Sequence, residues 1–179
     1  MTLPLLIIAA ELLANLYYFL RVRFKSLYLI IFLLLLYPFY ISFTLITDPV
    51  KADIPIIDRN QLFDDWPSGY GVRQVIDYLS KEARNNKIVI GTEGTFGLNP
   101  AVYEIYLKQN KNVINIIGYW PVFEVPGQLI EYAKSYPTYL IFKEKQEIPG
   151  NWPLKLIAKY RRGLGSTYLY FFQVVSYGS

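Results

Sequence analysis

Two nearly unbroken apolar runs lie at the start of the chain, at 3–20 and 26–46. The second contains an uninterrupted apolar stretch from Leu29 to Leu36. A helix needs about 20 apolar residues to cross a bilayer, so we predict a transmembrane helical hairpin over 1–46. The loop between the runs, 21–25, is basic, and the positive-inside rule assigns such a loop to the cytoplasm. Everything after Thr47 is then predicted to be extracytoplasmic, in a multi-pass protein of the cell membrane.

Two polar residues, Glu11 and Asn15, interrupt the first apolar run. They are four residues apart and share one helix face, which Tyr18 extends. An ionisable group in the hydrocarbon core costs about 2.5–3.5 kcal/mol and usually faces a protein interior. Two interpretations stay open. Either Glu11 is protonated or reaches the outer interface, or the helix packs inside a larger bundle whose other helices this chain lacks.

The rest of the chain alternates short strands with short helices, after a polar connector at 47–71 that Pro49 and Pro55 are expected to keep extended. Apolar residues at helical spacing predict a helix from Val72 to Asn85. Strands are predicted at 87–91, 112–118, 138–142, 154–160 and 167–175, and further helices at 99–108 and 126–135. We therefore predict a small layered α/β, Rossmann-like domain over 72–179, with a parallel core and a C-terminal antiparallel edge hairpin.

Composition excludes several kinds of site. The 179 residues include no cysteine and no histidine, which removes disulfides, thiol nucleophiles, Ser-His-Asp triads and Cys/His zinc sites. We expect no metal and no cofactor. The formal net charge of +4 is modest, and Arg21, Arg23 and Lys25 sit together in the short loop. No basic face for nucleic acid is therefore expected.

A glycine-rich segment, Gly91 to Gly97, follows a predicted strand and precedes a predicted helix. Its glycines are spaced G-x-x-G-x-x-G, which is neither the dinucleotide-binding pattern nor a P-loop. A tight turn that needs positive φ is the favoured interpretation. The alternative is a loop that holds an anionic or sugar ligand.

Ligands of open α/β sheets bind at the carboxyl ends of the strands. In this sequence those ends carry Thr92 and Glu93, then Tyr119 and Trp120, then Lys143. We predict these residues as a candidate substrate-binding site for a carbohydrate, with a plain cluster of loop residues as the alternative. No pairing among them is strong enough to predict a catalytic residue.

Two other features have mainly structural interpretations. Asp64 and Asp65 are adjacent and point apart in a helix or strand, so we expect them to cap the helix behind Gly71 or to be solvated. All three tryptophans (Trp66, Trp120 and Trp152) precede a proline. This arrangement is typical of rigid, extended loop positions, and it is compatible with contact to a membrane surface.

The chain as a whole resembles the C-terminal end of bacterial polytopic glycosyltransferases of family 39, relatives of the protein O-mannosyltransferases and of the lipid A aminoarabinose transferase. The resemblance rests on two late apolar spans with a basic turn, followed by three short motifs. These are Ile57-Asp58-Arg59-Asn60-Gln61, the segment Asp65-Trp66-Pro67-Ser68-Gly69-Tyr70-Gly71, and Gly91-Thr92-Glu93-Gly94.

The resemblance implies an enzyme that transfers a sugar from a polyprenyl-phosphate donor outside the membrane. It also implies a helical bundle to which the connector joins the outer domain, through Asp58, Arg59, Asp65, Trp66, Ser68, Gly69, Tyr70 and Gly71. The family's acidic catalytic residue lies in the first extracytoplasmic loop, and nothing in this chain matches it. The chain would then hold the last hairpin and the outer domain, depend on the missing bundle in cis or as a partner chain, and be inactive alone.

Two rival functions remain at this stage. The first is a stand-alone, membrane-anchored module that binds an envelope glycan or peptide near Glu93 and Trp120. The second is an independent hydrolase with a Ser-Lys dyad drawn from Ser68 or Ser135 and Lys143. The spacing of these residues in the sequence does not favour such a dyad.

Overall fold

The computed structural model of the chain describes residues 2–21 and 27–176, and the side chains within 6–18 and 29–176. It divides the chain into two compact units, Met1–Asp53 and Ile54–Ser179. The predicted basic loop at 21–25 lies outside the described residues, apart from the backbone of Arg21.

The N-terminal unit consists of helix α1 (Thr2–Arg21), helix α2 (Leu27–Thr47) and a 3₁₀ turn (Pro49–Lys51). Within α2, Leu29–Thr47 is long and apolar enough to cross a membrane, with a mean hydropathy of 2.4 and no part of it buried inside the protein. A helix that is apolar on all sides and exposed needs an apolar surrounding, which gives weak support to the predicted membrane association.

The first predicted span is not shown. The apolar part of α1 that the structure describes, Leu6–Tyr18, is too short to cross a bilayer by itself. Its hydropathy is interrupted by the exposed polar side chains of Glu11 and Asn15. One helix of spanning length, rather than two, is therefore established among the described residues.

The start of the C-terminal unit is helical where the sequence predicts an extended connector. Helix α3 (Ile56–Arg59) begins directly after Pro55 and continues through a π-helical turn (Asn60–Asp64). Proline is unfavourable inside a helix and restricts the residue before it, but it is well suited to a helix start. For this reason Pro55 opens a short helix instead of extending the chain.

A mixed five-stranded sheet forms the centre of the C-terminal unit, as predicted. Its strands are β1 (Ile88–Glu93), β2 (Val113–Tyr119), β3 (Thr138–Phe142), β4 (Leu154–Arg161) and β5 (Tyr168–Val174), in the order β2-β1-β3-β5-β4. Strand β1 pairs in parallel with β2 and β3, whereas β5 is antiparallel to both β3 and β4. The C-terminal hairpin therefore lies at one side of a parallel core.

Helices cover both faces of this sheet. Helices α4 (Val72–Asn85) and α5 (Leu98–Leu107) pack on one face, and α6 (Gly127–Ala133) packs on the other. Successive residues of β1 alternate between two apolar clusters, because side chains alternate along a strand. Ile88 and Ile90 join the α4–α5 cluster, and Val89 joins the α6 cluster.

One end of the sheet gathers the segments that matter for function. Since β1, β2, β3 and β4 all run in the same direction, the segments that follow them meet at one end. These segments are 94–97, 120–126, 143–147 and 162–167, and we call them together the carboxyl end of the sheet.

Candidate functional site

All five predicted site residues lie at the carboxyl end of the sheet. Thr92 and Glu93 close β1, and Glu93 lies opposite Tyr119 in the β1–β2 register. Lys143 directly follows β3, and its backbone N–H donates to Glu93 Oε2 at 2.8 Å. The fifth residue, Trp120, follows Tyr119 and is 53% exposed.

The carboxylate of Glu93 is engaged by the protein itself. It is buried and accepts hydrogen bonds from three consecutive backbone N–H groups, those of Lys143 at 2.8 Å, Glu144 at 2.6 Å and Lys145 at 3.0 Å. Hydrogen bonds to an ionised acceptor are roughly twice as strong as neutral ones. Glu93 thus fixes the loop after β3, and a ligand would have to displace that loop to reach both carboxylate oxygens.

The ammonium group of Lys143 is also engaged. Its Nζ lies over the ring of Trp66, 4.7 Å from the ring centroid, in a cation–π contact. The same side chain passes close to Gly94, where an added Cβ would lie 3.1 Å from Lys143 Cε. Gly94 has a φ of +105°, so the tight-turn interpretation of this glycine agrees with its geometry.

The remaining predicted residues differ in how far they face solvent. The hydroxyl of Thr92 is buried and donates to the Gly94 carbonyl at 3.5 Å. The hydroxyl of Tyr119 lies 3.1 Å from Gln128 Oε1, and burial raises the pKa of Tyr119. Trp120 has the most exposed side chain of the five predicted residues, so it is the one best placed to meet a ligand without rearrangement.

Sequence reasoning missed Arg162, which is fully buried at this end of the sheet. Its Nη2 donates to the carbonyl of Lys143, and its Nη1 lies 3.4 Å from Thr167 Oγ1. Burial lowers the pKa of Arg162, while nearby Asp65 and Glu93 oppose that shift. In the sequence Arg162 is indistinguishable from its exposed neighbour Arg161, so no local signal could have identified it.

Helix α5 adds two buried polar side chains to the same region. Asn99 Nδ2 donates to the carbonyl of Glu93 at 3.3 Å. Tyr103 is buried and interacts electrostatically with Arg162, and burial raises its pKa. Within the described part of the chain, Asn99 Oδ1, the Tyr103 hydroxyl and Arg162 Nε are buried without a hydrogen-bond partner.

The connector is bound to the carboxyl end of the sheet through Asp64. Its Oδ1 accepts from the Leu164 N–H at 2.9 Å, and its carbonyl accepts from Thr167 Oγ1 at 2.9 Å. Gly165 lies so close that an added Cβ would be 2.3 Å from the Asp64 carbonyl oxygen. The predicted capping role is wrong, because Gly71 is the N-cap of α4 and no described side chain caps that helix.

The other residues that the resemblance assigns to the connector differ in their exposure to solvent. Asp58 and Gly69 are exposed, Arg59, Asp65 and Tyr70 are half-buried, and Ser68 and Gly71 are buried. Gly71 has a φ of +84° and approaches Tyr160, whose Cβ would lie 2.5 Å from an added side chain. These contacts join the segment to the sheet rather than leaving it as a free tether.

Concave surface exists elsewhere in the unit. A cavity of about 260 Å³ lies beside the C-terminal hairpin and is lined by residues that include Trp152, Tyr170 and Phe172. None of the five predicted site residues lines it. Among the described residues there is also no group of three or more acidic side chains able to hold a metal ion.

Comparison with protein-family models, with characterised proteins and with solved structures finds no significant match to this chain.

Proposed function

We propose that the chain is the membrane-anchored outer portion of a polyprenyl-phosphate-sugar-dependent glycosyltransferase of the family 39 type. In this proposal both apolar helices cross the membrane, the C-terminal unit is extracytoplasmic and Rossmann-like, and the catalytic centre lies in helices outside this chain. The outer domain covers the outer mouth of that bundle and helps to position the acceptor.

One observation carries the proposal. The motifs behind the resemblance, one around Trp66 and one around Glu93, meet at the carboxyl end of the sheet. Glu93 fixes the backbone of Lys143, and the Lys143 ammonium lies over Trp66. Residues that are far apart in the sequence therefore act together to bind the connector to the outer domain.

The same contacts support a non-catalytic role for this part. A general acid or base must reach the proton that it transfers. The Glu93 carboxylate is buried and accepts hydrogen bonds from three backbone N–H groups. It therefore stabilises the loop and does not reach a substrate proton. The Lys143 ammonium is held against Trp66. What this end offers to a substrate is aromatic surface, at Trp120 above all, which suits stacking on a sugar ring.

The rival proposal, a stand-alone glycan- or peptide-binding module, draws on the same exposed Trp120. The two differ in what else they need. An anchored module works without partner helices, whereas the transferase portion depends on a bundle that supplies donor binding and chemistry.

The test begins with the DNA around the codon for Met1. The full chain is produced in membranes alone, and together with any adjoining hydrophobic reading frame. Transfer from radiolabelled undecaprenyl-phosphate sugars to envelope acceptors is then measured. We expect no transfer by the chain alone and transfer by the pair. Transfer by the chain alone would disprove the non-catalytic role, and an inactive pair or unrelated neighbouring genes would favour the binding module.

A further inference from the structure

The sheet has two edge strands, β2 and β4, and their side chains differ in charge. Strand β4 carries three exposed cations, Lys155, Lys159 and Arg161. Charged side chains protect an edge strand from pairing with its own copy, because like charges would then meet. Strand β2 has no charged residue and is rich in valine and isoleucine, which are enriched in strands. The edge at β2 is therefore the one suited to accept a further strand.

The backbone of β2 has free hydrogen-bonding groups at this edge. From Asn115 to Tyr119 its register with β1 is regular, and β1 is its only partner strand among the described residues. The Gly94 N–H donates to the Tyr119 carbonyl on the β1 side. Backbone groups of an edge strand alternate between its two sides. Ile117 and Asn115 therefore also face β1, whereas the N–H and C=O groups of Ile116 face the open edge.

A groove of about 250 Å³ lies between β2 and the end of α5. Its lining includes Glu104 and Lys108 on the helix side and Ile114, Asn115 and Ile116 on the strand side. Glu104 and Lys108 are both exposed, and residues four apart share one side of a helix. The groove therefore places one negative and one positive group beside an uncharged strand.

A second copy of this chain has the matching surface. When a two-fold axis relates two copies across this edge, their β2 strands run antiparallel and their α5 helices also run in opposite directions. Glu104 of each copy then faces Lys108 of the other, so opposite charges meet twice. The same arrangement at β4 would place cations against cations.

We propose that β2 pairs with β2 of a second copy, antiparallel and centred on Ile116, so that one sheet runs through both copies. The open N–H and C=O groups of Ile116 form the central hydrogen bonds, and the two contacts between Glu104 and Lys108 fix the orientation. The pairing involves the C-terminal unit alone and does not depend on the proposed function.

The test uses the absence of cysteine from the sequence, which allows a single thiol to be placed in the full chain in membrane vesicles. In the paired strands, Asn115→Cys puts the two thiols on diagonal neighbours about 7–8 Å apart, within reach of a short bismaleimide. Leu156→Cys is the control, because Leu156 lies on β4 and is 48% exposed. We expect dimer to form at least about fivefold faster with Asn115→Cys, since pairing holds the thiols at a high effective concentration.

Charge reversal tests whether the partner is a second copy. Glu104→Lys or Lys108→Glu, each combined with Asn115→Cys, should slow cross-linking about threefold, because like charges then face each other. The double reversal restores both opposite-charge contacts and should recover the original rate. An equal mixture of the two single reversals should recover it as well, since each copy then supplies the charge that the other needs.

Three results would overturn the proposal. Equal rates for Asn115→Cys and Leu156→Cys would mean that the copies meet by collision and not through β2. Cross-linking of Asn115→Cys to a protein of another mass would mean that a different chain covers the edge. Rates unchanged by the charge reversals would mean that the groove is not part of the contact. Circular dichroism checks the fold of each variant, and Ile117→Cys, which lies at the same distance from the centre, replaces Asn115→Cys if that variant is misfolded.

Discussion

The interior of the sheet and its carboxyl end are built on different principles. In the interior, β1 and β3 are buried along their whole length and contribute to two apolar clusters. At the carboxyl end, buried polar groups bind backbone atoms that are distant in sequence, as Glu93 does with Lys143 and Asp64 with Leu164. Burial of apolar surface has no required direction, whereas each of these hydrogen bonds requires one particular atom.

This difference predicts how each region responds to substitution. An apolar interior tolerates changes that keep its volume, and it loses stability when a cavity forms. A buried polar group that binds backbone loses its stabilising effect when one acceptor is weakened, even if the shape of the side chain is kept. The stability of the interior should therefore depend on the volume of its side chains. That of the carboxyl end should depend on their charge and hydrogen-bonding groups.

The largest effect is expected from a cavity in the interior. Phe171 is fully buried and stacks on Tyr139 with ring centroids 5.5 Å apart. Phe171→Ala should lower the free energy of unfolding by about 3–5 kcal/mol, measured by chemical denaturation of the detergent-solubilised chain. Phe123→Ala removes the same side chain from an 82% exposed position and should change stability by less than about 0.5 kcal/mol. Comparable losses in the two variants would contradict the assignment of the core.

The next largest loss of stability is expected from weakening the hydrogen bonds between the Glu93 carboxylate and the loop after β3. Glu93→Gln keeps the shape of the side chain but removes the charge, and it leaves one oxygen where two accepted. We expect a loss of about 2–3 kcal/mol, since hydrogen bonds to charged groups contribute about 1.5–3 kcal/mol. Hydrogen exchange at the amides of Lys143–Lys145 should accelerate in parallel.

Glu144→Gln is the matched control, because the Glu144 side chain is exposed and adjacent to the same loop. Its stability and its amide exchange should remain close to those of the wild type. Faster exchange of the loop in both variants would show that charge in general, and not the Glu93 carboxylate, holds the loop.

A smaller effect is expected where the connector touches the C-terminal hairpin. Gly165→Ala would bring a methyl group within 2.3 Å of the Asp64 carbonyl oxygen, so the backbone must shift. We expect a loss of about 1–3 kcal/mol, as for overpacking in a core. Gly150→Ala is the control, because nothing lies within 4 Å of its added Cβ. If both variants unfold at the same denaturant concentration, the connector is not bound as described.

The sequence predicts the interior better than it predicts the carboxyl end. Strand β3 has the predicted limits, and Val75, Leu79 and Ala83 of α4 are buried as their spacing requires. Such patterns are local, because the burial of one face of a helix or strand produces a regular spacing of apolar residues within a short segment. The sequence predicts two membrane spans, whereas the described residues contain one helix of spanning length, because the described apolar part of α1, Leu6–Tyr18, is too short.

The carboxyl end depends on contacts that no local pattern encodes. The sequence gives no reason to separate buried Arg162 from exposed Arg161, or to pair Asp64 with a segment that follows it by a hundred positions. The strand-end rule does bring Thr92, Glu93, Tyr119 and Lys143 to one place. It does not predict that the Glu93 carboxylate binds backbone instead of facing a ligand.

Tyr103→Phe should have the smallest effect, and one that depends on pH. The Tyr103 hydroxyl is buried with no hydrogen-bond partner among the described residues, so near pH 8 its removal should be neutral or slightly stabilising, within about 0.5 kcal/mol. Burial also raises the pKa of Tyr103 above its ordinary value of 10.0.

Above pH 10 the unfolded chain therefore loses this proton before the folded protein does, and the wild type loses stability as the pH rises. The phenylalanine variant lacks this contribution, while Tyr139, whose pKa is also raised, acts equally in both proteins. The advantage of Tyr103→Phe should thus grow between pH 8 and pH 10.5, measured as the difference in unfolding midpoint. A constant difference would mean that the hydroxyl is solvated or paired in solution. The polar cluster at the carboxyl end would then be more open than the geometry of Arg162 and Tyr103 implies.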